Sequence, residues 1–172
     1  MKRFIVSIIL IILCFLLQTT FFKGLAFGGI VPNLLIIITS SFGFMRGEKT
    51  GLIIGFFCGL LADIFFGNVI GLNAMIYMYI GYANGKFHQI FFPDDIKLPL
   101  FLILASDLAY GFLYYVTLFL MRCRFQIGFY FLHIILPEAV YTILITLLLY
   151  PLVLKINKML EESERRSERK FV

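Results

Sequence analysis

Hydrophobic positions along this chain do not alternate, and they do not fall on one face of a helix with polar residues opposite. They gather into six long runs with few or no charges, at 4–22, 31–45, 51–66, 69–85, 98–121 and 125–154, separated by short polar breaks. Segments apolar all round are buried in a large core or in lipid. The first run has no charge over 19 residues, about 28 Å at the rise of an α-helix and enough to cross a bilayer core. The six together predict an all-α integral membrane bundle of six transmembrane helices, followed by a basic tail at 155–172. The second to fourth runs are short and the last is long, which leaves room for re-entrant pieces or an interfacial stretch near 125–131.

Local residues sharpen the element ends. Lys2 and Arg3 precede the first run, as in a signal peptide. The run closes on Gln18, Thr19, Thr20, Phe21 and Phe22 rather than on a small-residue cleavage site, so we read an uncleaved first span. Pro32 is placed for the first turn of the second helix. The loop 86–97, with Pro93, Asp94 and Asp95, reads as a cytoplasmic turn. In the tail, Glu161 and Glu162 stand four residues before Arg165 and Arg166, a spacing that supports a short solvated helix continuing from the last span.

Composition then narrows the class. Hydrophobic residues make up 61% of the 172 and charged residues 15%, with a mean hydropathy of +0.97, against about 45–50% and 25% for a soluble domain. This excludes a soluble enzyme, a secreted disulfide scaffold and a disordered chain. The net charge of +5 matters through its placement. With six spans, one side holds Lys2, Arg3, Arg46, Lys49, Lys86 and Lys97, together with Lys155, Lys158, Arg165, Arg166, Arg169 and Lys170. The other holds Lys23, Arg122 and Arg124. The positive-inside rule therefore puts both termini in the cytoplasm. No recognisable nucleic-acid module accompanies the basic residues.

Three carboxyls lie inside the runs: Asp63, Asp107 and Glu138. Each costs about 2.5–3.5 kcal/mol near the bilayer centre, so each should face the bundle or a watery cavity. No basic residue lies in a span to pair with them, so they are either protonated and hydrogen-bonded or nearer the water. Tyr110, one turn beyond Asp107, and Tyr141, one turn beyond Glu138, are in register to satisfy them. Pro137 frees a carbonyl one turn before it. Asp63, close to the end of its run, is placed nearest the outer surface. Gly51, Gly55, Gly59 and Asp63 recur every fourth residue, one smooth seam for close approach of another helix, from this chain or from a partner. A proton relay or cation site needs more than three acids on three helices. His88 and His133 stand outside any HExxH pattern, and no GxSxG or phosphate-cradling loop occurs. Cys14, Cys58 and Cys123 form no CxxC pair and read as small packing residues. Thus no catalytic residue, cofactor or metal ligand is predicted.

The ordered set of features resembles one family. A basic-led first span is succeeded by Pro32, Asn33, Leu34 and Leu35, then by Arg46 and Gly47. Next come Gly55 to Asp63 (GFFCGLLAD), Gly71 to Ala74 (GLNA), and Gly81 with Tyr82. The last span carries Leu136, Pro137, Glu138 and Ala139 and ends in Tyr150, Pro151 and Leu152. Over nearly the whole chain this is similar to the rod shape-determining protein MreD family. The resemblance implies a non-enzymatic multi-pass subunit of the bacterial cytoplasmic membrane, acting in the elongation machinery with MreC. It would help to link MreB filaments to lateral peptidoglycan synthesis and its synthases. Carried over by motif, Pro32, Gly55, Gly59, Asp63, Pro137 and Glu138 are the positions implied to matter, and the Gly51–Asp63 seam is the candidate contact for a membrane helix of MreC. The family is also similar in fold to the six-helix substrate-binding subunits of energy-coupling-factor vitamin transporters, the alternative reading. Those subunits often carry an AxxxA-type docking seam on the first span, and none occurs here.

Overall fold

A computed structural model describes residues 2–26, 29–67, 69–90, 96–122 and 127–168. The described chain is helical, with no strand among those residues. Helix α1 runs Lys2–Leu16 and continues through a π-helical turn, Leu17–Phe21, to Phe22–Gly24. Then come α2 (Leu34–Arg46), α3 (Glu48–Phe66), α4 (Leu72–Lys86) and α5 (Lys97–Arg122). A lead-in, Ile127–Tyr130 and the π-helical Phe131–Ile135, opens α6, Leu136–Glu168. Four of these are long and apolar enough to cross a membrane: Ile5–Gly24, Glu48–Phe66, Lys97–Thr117 and Phe131–Glu162.

The exception that organises the bundle is α2. It has 13 residues, about 20 Å of helix, short of the ~30 Å hydrocarbon core. Every residue from Leu34 to Met45 is buried, and α2 touches each of the other five helices. A helix enclosed by protein does not have to match the lipid thickness, but its ends must be satisfied internally. They are. Gln18 Oε1 accepts from the backbone N–H groups of Leu34 (3.0 Å) and Leu35 (3.4 Å). Asn33 Oδ1 accepts from Ile36 N–H (3.3 Å), and its own N–H donates to Thr142 Oγ1 (3.1 Å). At the other end His88 Nδ1 lies 2.9 Å from the Phe44 carbonyl.

Two expectations about helix ends change here. Pro32 does not open α2; it precedes the Asn33 cap, because the Asn33 side chain takes the role of first acceptor. The last run is not one plain helix: it divides at the π turn 131–135, where Leu136 N–H bonds to Phe131 O and Pro137 has no N–H to give to the carbonyl of His133. Beyond residue 154 the chain stays helical to Glu168. Asn157 Nδ2 donates to Glu161 Oε1 (3.0 Å). The side chains of Arg165 and Arg166 lie outside the described residues, as do 91–95 of the loop and 125–126 of the expected interfacial stretch.

The α2–α3 link is a single residue, Gly47, at φ +89°, in the half of conformational space that glycine enters without steric cost. That sharp reversal lays α3 along α2 and returns α4 beside both.

Candidate functional site

The glycine seam is filled by the chain itself. A Cβ on Gly51 would sit 2.2 Å from Gly81 O, on Gly55 2.3 Å from Tyr77 O, and on Gly59 2.4 Å from Ala74 Cα. These are backbone atoms of α4, and they leave no room for an outside helix on that face. Of the two occupants expected for the seam, the contacts are those of this chain: the small residues let α3 and α4 meet backbone to backbone, the packing that GxxxG spacing permits in lipid. The complementary half was missed. Gly81 and Gly85 present the matching gap on α4, their Cβ positions 2.1 Å from Gly51 O and 2.4 Å from Glu48 Cα. Their own spacing of four was the available signal.

Asp63, the last member of the seam, is buried, only 1% exposed. Its carboxyl caps α4: Oδ2 accepts from Gly71 N–H (2.9 Å) and Ala74 N–H (2.9 Å), and Oδ1 from Asn73 N–H (3.0 Å). The first N–H groups of a helix have no intrahelical acceptor and carry the positive end of its dipole, so a buried carboxyl finds here the partners that no basic residue supplies.

Glu138 and Asp107 lie elsewhere, on neighbouring helices. The two carboxyls, on α6 and α5, are close enough for their charges to act on each other. Asp107 is 4% exposed and neither of its oxygens makes a hydrogen bond among the described residues. The Thr142 hydroxyl approaches it from α6. The tyrosines in register do not satisfy these acids. Tyr110 Oη donates to Asn73 Oδ1 (3.1 Å), and Tyr141 Oη to Leu25 O (3.5 Å).

Glu138 opens onto a cavity of about 210 Å³. The cavity lies where α1, α3 and α5 approach their C-termini and α2, α4 and α6 begin. Its polar wall is Gln18, Asn33 and Asn73, its aromatic wall Tyr77, Tyr110, Tyr114 and Tyr130. Tyr77 Oη donates to Asn33 Oδ1 (2.8 Å). The Tyr77 and Tyr110 rings meet edge to face at 5.0 Å, and Tyr110 and Tyr114 stack at 5.8 Å. The π turn in α1 helps to set this wall. Thr19 Oγ1 bonds back to Phe15 O (2.9 Å) and Thr20 Oγ1 to Leu16 O, a backbone competition that loosens a helix and turns Gln18 toward α2.

Basic residues collect at the other end of the bundle, where α2 and α4 finish and α3 and α5 begin: Arg46, Lys49, Lys86 and Lys97, with Lys155 and Lys158 on α6. Arg46 Nε donates to Asn157 Oδ1, joining the C-terminus of α2 to the extension of α6. Among the described residues no cluster of three or more His, Cys, Asp or Glu side chains is arranged to hold a metal ion.

Fold and site together define a helical membrane protein, built round one enclosed helix with an acidic, aromatic cavity at one end and a basic opposite end. The sequence model of the family described as rod shape-determining protein MreD matches residues 1–160, and the chain belongs to that family of shape-determining membrane proteins. No curated protein and no solved structure matches the chain.

Proposed function

We propose that this chain is a non-enzymatic, multi-pass subunit of the rod-shape machinery in the bacterial cytoplasmic membrane, helping to couple MreC and MreB to lateral peptidoglycan synthesis. The observation that carries this reading is the family match across residues 1–160. The gathering of basic residues at one end of the bundle supports a cytoplasmic orientation for that end and for both termini. Function is then assembly rather than chemistry. The glycine seam holds α3 to α4, and the partner helix lies on an outward apolar face.

The test is a detergent pull-down of the tagged protein from its native membranes, read by mass spectrometry. Recovery of MreC and the elongation synthases is the expected result. Recovery of an ATPase pair with a coupling membrane protein would overturn it in favour of a substrate-binding subunit of an energy-coupling-factor transporter.

A further inference from the structure

The cavity at the acidic end has hydrogen-bonding groups that the protein does not use. Gln18 and Asn33 are oriented by backbone donors. Leu34 and Leu35 N–H bond to Gln18 Oε1, and Ile36 N–H to Asn33 Oδ1. Their NH₂ groups consequently point away from those bonds, and neither has an acceptor among the described residues. Asn73 uses its Oδ1 on Tyr110 in the same way. Across the cavity stands Glu138, which makes no hydrogen bond among the described residues. Buried polar groups are nearly always partnered, and exceptions need an explanation. No Lys, Arg or His lines the cavity, so the charge this site complements is positive. The Tyr77 and Tyr110 hydroxyls are spent on the two asparagines, which leaves ring faces suited to a cation.

We propose that this cavity binds a small organic ammonium ion that also carries an oxygen acceptor. Glu138 receives the ammonium, the Gln18 and Asn33 amides donate to the oxygen, and the tyrosine rings cover the charge. At about 210 Å³ the space is below the ~300–1000 Å³ of drug-sized sites, which suits an amino-alcohol group rather than a large ligand. A free amine and the ethanolamine end of a phospholipid share this chemistry. Such binding does not depend on the assembly role proposed above.

The chain has no tryptophan, so its intrinsic fluorescence comes from tyrosines, four of which (Tyr77, Tyr110, Tyr114 and Tyr130) line the cavity. Purified protein is titrated with ethanolammonium chloride, with tetramethylammonium and sodium chlorides as controls. In parallel, thermal stability is compared in nanodiscs of phosphatidylethanolamine and of phosphatidylglycerol. A saturable response to ethanolammonium, at least about tenfold weaker in Glu138→Gln, supports the site with a free amine. Stabilisation in phosphatidylethanolamine alone, removed by Glu138→Gln, supports it with the headgroup. Glu138→Ala gives a second reading of the same carboxyl, and unchanged helical circular dichroism shows that each variant is folded. If folded Glu138→Gln behaves as wild type in both formats, or if all three salts act alike with no lipid difference, the proposal fails.

Discussion

Replacing Asp63 tests how a buried acid is tolerated in this bundle without a basic partner. Its two oxygens take three backbone N–H groups of the α4 N-terminus at 2.9–3.0 Å, in a position 1% exposed. Asp63→Ala leaves those three donors unpaired. One buried donor without a partner costs about 1–3 kcal/mol, but three groups sharing one carboxyl are not independent, so we expect a total of about 3–5 kcal/mol. Asp63→Asn separates acceptor count from shape. With its amide oxygen at the Oδ2 position it keeps the Gly71 and Ala74 bonds and sets an NH₂ group against Asn73 N–H, for a loss of about 1–3 kcal/mol. Asn73 also holds the Tyr110 hydroxyl, so loosening the α4 start disturbs the cavity wall. The assay is thermal unfolding of detergent-purified protein by circular dichroism, with an SDS titration as an independent measure. The order expected is wild type, Asn, Ala. Asp63→Ala unfolding with wild type would refute the capping account.

Other variants test the remaining contacts. In Gly55→Ala the new Cβ falls about 1 Å inside the normal contact with the Tyr77 carbonyl, and overpacking of this kind costs about 1–3 kcal/mol. Gly24→Ala, with nothing within 4 Å, should be neutral or slightly stabilising in the same unfolding assay. Asn33→Ala removes the α2 cap and the acceptor for Tyr77 Oη; a loss of about 0.5–2 kcal/mol for the cap alone should appear as a lower melting temperature. Arg46→Ala cuts the tie to Asn157 and should cost about 1–3 kcal/mol, with faster hydrogen exchange in the α6 extension.

Much of the fold was legible because lipid imposes a simple rule. The six apolar runs each contain a helix, since a backbone that cannot reach water must bond within its own segment. The direction of the seam could be read as well, because a step of four keeps Gly51, Gly55, Gly59 and Asp63 on one helix face. What occupies that face was not readable from α3 alone; it required pairing the seam with Gly81 and Gly85. The site was less accessible still. Gln18 bonds to residues 16 and 17 positions away and Asn33 to Thr142 at 109, and no local period records such contacts. The tyrosine expected to satisfy Asp107 turns instead to Asn73, because α4 offers an amide that α5 lacks.

Central to this picture is the joining of α3 and α4 by the glycine seam within one chain, which leaves partner contact to another face. The most direct measurement pairs Gly55→Ala with Gly59→Ala in native membranes and quantifies both folded protein and MreC captured per folded molecule. The expected result is a reduced folded fraction with capture per folded molecule unchanged. A full yield of folded protein that no longer captures MreC would contradict it and return the seam to the partner.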